Sequence, residues 1–218
     1  MASKVANNRI RCLFILMMAL MALLAGCGSS GSSKASDEGV GQASLAAKSW
    51  DRMPEMELDL NKSYSAMVST DKGDFTIELF AKQAPITVNN FVFLANNGFY
   101  DGFLFETVIE SFMIQTGDPL QNGLGNAGYR IPDELDTGLS YEEGIVAMFN
   151  GGKPNSGSSQ FFICTGPEAD NLNSHPNYSI FGRVKEGYDV IRKIAETPVK
   201  NDKPIEDIHI FSIRIMEE

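Results

Sequence analysis

Apolar and polar residues alternate along much of the chain beyond Asn61. Tyr64–Thr70 (YSAMVST) and Asp74–Phe80 (DFTIELF) carry the period of two expected of half-buried strands. Asp71-Lys72-Gly73 joins them as a short turn, with glycine where positive φ is needed. The period then lengthens. In APITVNNFVFLANNG, residues 84–98, Val88, Phe91, Val92 and Ala95 fall on one helical face, Pro85 suits the first turn and Gly98 the stop. After an Asp-Gly turn in FYDGFLF, strands are predicted over 103–109 and 112–116. GIVAMFN (144–150) and QFFICTG (160–166) predict two more. Gly187–Glu196 fits a second helix, with Val190, Ile191 and Ile194 apolar and Pro198 beyond its end. IEDIHIFSIRIM (205–216) predicts a closing strand, and its change of phase near Phe211 predicts a bulge. Many strands with only two helices favour an all-β, closed antiparallel barrel over a layered α/β fold.

The first 26 residues break this pattern. Lys4, Arg9 and Arg11 precede an apolar run from Cys12 to Ala25, the form of a secretory signal and too short for a stable membrane span. Leu24-Ala25-Gly26-Cys27 resembles the lipobox of bacterial lipoproteins. That resemblance implies cleavage before Cys27 and lipid on its sulfur; an ordinary signal with an incidental cysteine is the alternative. Residues 28–48, rich in Gly, Ser and Ala, read as a flexible tether. Trp50–Leu60 is open between packing on the domain and remaining mobile. The expected organisation is a signal over 1–26, lipidated Cys27 and tether over 27–60, and a folded domain over 61–218.

Charge and cysteine content narrow the function. The full chain carries a net charge of −10, and loss of the three basic leader residues leaves 15 Lys+Arg against 28 Asp+Glu, a net of −13. An acidic surface is repelled by nucleic acid and by anionic lipid, so a lipid anchor would have to hold the protein to the extracytoplasmic face of the cell membrane. Cys12 leaves with the signal and Cys27 is modified, so Cys164 has no intramolecular disulfide partner in the processed chain, expected to be a monomer. Cys164 reads as a small buried hydrophobe, because a nucleophilic thiol wants a neighbouring base and the chain has only His175 and His209. Two separated histidines give no basis for a metal site, and no cofactor is expected. GLGNAG (123–128) matches G-x-G-x-x-G, but a Gly-Asp-Pro turn precedes it and Pro132 follows, so a glycine-rich loop is expected, not a dinucleotide site.

Three blocks in order, FYDGFLFETVIESFMIQTGDP, NSGSSQFFICTG and YSIFGRV, resemble the cyclophilin-type peptidyl-prolyl isomerases from about Tyr64 to Met216. The resemblance implies an eight-stranded antiparallel barrel capped by two helices and cis–trans isomerisation of Xaa-Pro bonds without a cofactor. It implies a proline pocket of Phe112, Met113 and Phe162, with Leu172 at its wall and Gln115 near the substrate carbonyl. Phe149 and Asn150 would lie along the bound peptide, Gln160 would shape the groove, and Tyr178 stands where the family often has histidine. Strand alternation is compatible: Met113 and Gln115 share one face, as do Gln160, Phe162 and Cys164. Ordinary barrel core is the alternative for Phe112 and Phe162.

One position departs from the family. Where its members usually read Phe-His-Arg-Val-Ile, this chain reads Phe105-Glu106-Thr107-Val108-Ile109. In the family the arginine is thought to donate to the prolyl nitrogen. Three readings follow: slower isomerisation through Gln115 and apolar grip, substitution by a loop cation such as Arg130 or Lys153, or a non-catalytic proline-peptide-binding module or holdase. Asn171 replaces a tryptophan found in some members, which bears on cyclosporin binding. The expected partners are Xaa-Pro segments of exported proteins, and the membrane through the lipid.

Overall fold

The structure, a computed structural model, describes residues 48–218; the leader, Cys27 and the tether up to residue 47 lie outside the described residues. The elements are β1 (Tyr64–Thr70), β2 (Gly73–Leu79), α1 (Pro85–Asn96), β3 (Phe105–Ile109), β4 (Met113–Thr116), β5 (Ile145–Met148) and β6 (Phe161–Cys164). A 3-10 helix (Pro167–Ser174) leads to β7 (Ile180–Glu186), α2 (Tyr188–Ala195), the short pair β8 (Val199–Lys200) and β9 (Lys203–Pro204), and β10 (Ile210–Glu217).

Eight strands form one antiparallel sheet in the order β10-β1-β2-β7-β5-β6-β4-β3. The expected closed barrel is corrected here: the sheet is open, a half-barrel with β3 and β10 as its edges. Those edges meet at one isolated bridge, Leu104–His209, and a few bonds such as Phe105 N–H to Ile208 O at 3.0 Å. Two bulges account for the missing ladder, since a bulge bends its strand away from regular pairing. In β10, Ser69 pairs with Ser212 and Thr70 with Ile210, so Phe211 is the extra residue, as the change of phase predicts. In β3, Phe105 pairs with Thr116 and Thr107 with Gln115, so Glu106 is the extra residue.

Helix α1 buries Val88, Phe91, Val92 and Ala95, its predicted face. Phe91 packs edge-on to Phe161 at 5.4 Å and beside Phe181 at 5.2 Å. The helix has no local side-chain cap. Instead the remote Glu134 carboxylate accepts the N–H groups of Ile86 (3.0 Å) and Thr87 (2.8 Å), satisfying donors that the first turn leaves free. Strand β7 shows no clean alternation in the sequence, since Gly182 interrupts its apolar run. Glycine is required there: a Cβ would lie 2.7 Å from the Glu78 carbonyl oxygen on β2.

The segment left open between packing and mobility lies against the domain. Trp50 packs on Phe93 (5.1 Å) and Phe99 (5.8 Å), and its N–H donates to Ala127 O at 2.9 Å. Asn89 ties the segment to α1, accepting from Glu57 N–H (2.9 Å) and donating to Glu55 O (2.8 Å). Among the described residues, no helix is long and apolar enough to cross a membrane.

Candidate functional site

The site begins with two paired strands. Met113 lies opposite Cys164 and Gln115 opposite Phe162 across β4 and β6, while β3 places Ile109 opposite Met113 and Thr107 opposite Gln115. Alternation, with the Glu106 bulge shifting the phase of β3, therefore sends Thr107, Met113, Gln115 and Phe162 to one face, and Phe105, Ile114 and Phe161 to the main core. Met113, Phe162 and Cys164 belong to a second, smaller apolar cluster. Phe112, Phe149, Leu172 and Tyr178 form its partly exposed rim, with Leu172 supplied by the 3-10 helix. Tyr178 meets Phe162 edge-on at 5.2 Å and stacks on Phe149 at 6.0 Å. Tyr141, missed in the sequence, fixes that aromatic edge: its hydroxyl donates to Tyr178 O at 2.6 Å and accepts from Tyr178 N–H at 3.0 Å. Burial raises the Tyr178 phenol above its ordinary range, keeping it neutral.

The polar side of the face is an amide relay. Gln115 Nε2 donates to Gln160 Oε1 at 2.9 Å, and Gln160 Nε2 donates to Gly125 O at 2.8 Å. Asn150 lines the same pocket as Gln160 and Phe149, with its side chain committed internally. It donates to Asn177 O at 2.8 Å and accepts from Gly152 N–H at 3.0 Å, and its main-chain carbonyl accepts from Lys153 N–H at 3.1 Å.

Gly125 belongs to the glycine-rich loop, whose chemistry the structure settles. The Asp118 carboxylate accepts the N–H groups of Leu120 (2.7 Å), Asn122 (2.8 Å) and Gly123. The N–H groups that a phosphate would need are consumed by this buried aspartate, and neither a strand before nor a helix after completes a dinucleotide site. The loop instead walls a pocket of about 210 Å³, lined among others by Gly125, Asn126, Arg130, Phe149, Lys153 and Gln160. Arg130 and Lys153 thus stand on the Gln160 side of the groove, in a pocket that does not include Thr107. The arginine position holds a half-buried, uncharged hydroxyl.

Cys164 is fully buried, and desolvation pushes its thiol up to about 12, so no thiolate forms near neutral pH. His209 is engaged with Asp71 at 3.0 Å, and no cluster of metal-ligating side chains occurs among the described residues.

Glu106 is the residue whose importance the sequence concealed. It is 9% exposed, and neither carboxyl oxygen has a hydrogen-bond partner. Burial raises its pKa to about 8, its own main-chain N–H opposing, the nearby Asp118 charge adding and the Gln115 amide opposing more weakly. The available signal was a lone acid inside the apolar run FLFETVI.

The family model for cyclophilin type peptidyl-prolyl cis-trans isomerase/CLD matches residues 65–215. The chain is similar to Peptidyl-prolyl cis-trans isomerase-like 1 of Neurospora crassa, 40% identical over 156 residues covering 69% of this chain and 93% of the relative. It is 42% identical to Peptidyl-prolyl cis-trans isomerase cypE of Dictyostelium discoideum over 148 residues, 66% of this chain and 92% of that protein. A crystal structure of a Cryptosporidium parvum cyclophilin type peptidyl-prolyl cis-trans isomerase matches with a TM-score of 0.64 and 32% identity, covering 71% of this chain and 98% of that one. A second, in the presence of the dipeptide Ala-Pro, gives a TM-score of 0.63 at 33% identity, covering 70% and 98%.

Proposed function

Because the chain belongs to the cyclophilin-type peptidyl-prolyl cis-trans isomerase family, we propose that it isomerises Xaa-Pro bonds in exported proteins, at a reduced rate, from a lipid-anchored position outside the cytoplasm. Rotation about a peptide C–N bond is opposed by amide resonance, a barrier of ~18–20 kcal/mol. No bond breaks, so the catalyst has only to grip the ring and favour the twisted amide over both planar forms. Phe112, Met113, Phe162 and Leu172 supply the grip. Gln115, held by Gln160, aims a donor at the carbonyl preceding proline. The observation carrying this reading is the shared face of Gln115, Met113 and Phe162, with the Gln115 amide fixed at 2.9 Å from Gln160.

Thr107 makes the rate low. A guanidinium would donate to the prolyl nitrogen, and threonine lacks both its reach and its charge. The same absence favours a second reading, a proline-peptide binder without turnover. A protease-coupled Xaa-Pro assay separates them. Acceleration that falls about tenfold or more in Gln115→Ala supports the isomerase, and background rates with peptide still bound support the binder.

The extracytoplasmic assignment rests on Leu24–Cys27 and the basic, apolar leader. Labelling cells with a palmitate analogue is expected to mark the protein and to miss Cys27→Ala. Label retained in that variant, or absent from both, removes the anchor from the account.

A further inference from the structure

We infer that Glu106 is a positioning residue whose proton decides whether Gln115 is free to hold the substrate carbonyl. This rests on reading Gln115 as the amide that meets that carbonyl. The geometry begins with the bulge. Strand β3 carries one residue more than β4 requires, and that residue is Glu106, set between core-facing Phe105 and face-lining Thr107. Its side chain is buried and neither oxygen meets a donor at hydrogen-bond geometry, while the Gln115 amide is near enough to favour its charged form. A buried carboxyl left unpartnered is costly, and more so when ionised.

After Glu106's own main-chain N–H, the Gln115 amide is the neutral group that opposes the rise in its pKa, and it is the only side chain that does so. The amide nitrogen has two hydrogens, and one is committed to Gln160 at 2.9 Å. The second is contested. A neutral Glu106 competes weakly for it and leaves it to a bound peptide. An ionised Glu106 is a strong, charge-assisted acceptor and draws it away from the peptide. Asp118 is the charged group acting on the carboxyl, and it opposes ionisation. Its own charge is already held by the N–H groups of Leu120, Asn122 and Gly123. Helix α2 and strand β9 also pack on β3. They carry Asp189, Arg192, Lys193 and Lys203, none of which figures among the groups that shift Glu106. Because its oxygens are shut off from solvent, Glu106 acts through Gln115 and does not touch substrate.

The test is the pH profile of kcat/KM on Xaa-Pro peptides with the full chain, from pH 6 to 9.5. The wild-type value is expected to fall about two- to tenfold, the span of one lost hydrogen bond, with a midpoint near 8. Glu106→Gln should lose that fall. Glu110→Gln, which alters an exposed acid in the turn after β3, should keep it. A fall of equal size and midpoint in Glu106→Gln overturns the inference. Should the chain bind peptide without turnover, the Gln115 side-chain amide resonances decide the matter independently. They should titrate near pH 8 in the wild type, and their failure to do so contradicts the proposal whether or not the chain is an isomerase.

Discussion

Thr107→Arg is expected to raise kcat/KM by ~10²–10³, the inverse of the ~3–4 kcal/mol typically lost when one aimed donor is removed from an active site. The scaffold for the gain is present. Position 107 lies opposite Gln115 on the face that also holds Met113 and Phe162, and it is half-buried, so a longer side chain can reach outward. Arginine brings five donors and a charge that does not titrate, suited to the prolyl nitrogen as its lone pair leaves resonance. Glu106, one residue away, complicates the outcome. A guanidinium there would favour the ionised carboxylate and be partly captured by it, so Thr107→Arg with Glu106→Gln should gain more than Thr107→Arg alone. Both are read in an Xaa-Pro isomerisation assay against the wild type. No gain in either would show that the bound proline does not lie over position 107.

The second large effect is on stability. Glu106 ionises at about 8 in the folded chain against an ordinary 4.5, so between those values the native state holds a proton that the unfolded state releases. Its contribution is therefore fully present below about pH 4.5 and is lost as pH rises towards 8. The shift corresponds to a contribution on the order of 3–5 kcal/mol. Glu106→Gln cannot ionise, so the difference in Tm between variant and wild type should grow by about 10 °C from pH 5 to pH 8.5. Melting curves at both pH values check this, and a difference that does not change with pH would show that Glu106 is solvated.

Much of the fold was legible because its strands obey their period. The β1–β2 hairpin, the buried face of α1 and the bulge at Phe211 follow from alternation and its interruptions. What escaped the sequence depends on distant partners. Strand β7 hides behind Gly182, whose reason is the Glu78 carbonyl on another strand. The open seam between β3 and β10 follows from two bulges, and the one at Glu106 gives no change of phase that composition reveals. Alternation put Met113 and Gln115 on one face, but the hydrogen bond that fixes Gln115 needs Gln160 from β6. Trp50 could be placed only once Phe93 and Phe99 were brought together. Arg130 and Lys153 come from loops, where no periodicity says which pocket a side chain will enter.

The central claim is that an apolar face with one fixed amide eases rotation about Xaa-Pro bonds although the guanidinium is missing. Exchange spectroscopy on an Ala-Pro peptide tests it most directly, since it reports rotation and binding in the same sample. Substoichiometric protein should speed cis–trans exchange above the spontaneous rate, and Phe162→Ala should abolish most of the gain. Exchange at the spontaneous rate while the peptide resonances broaden on binding would contradict the claim and leave a binder in its place.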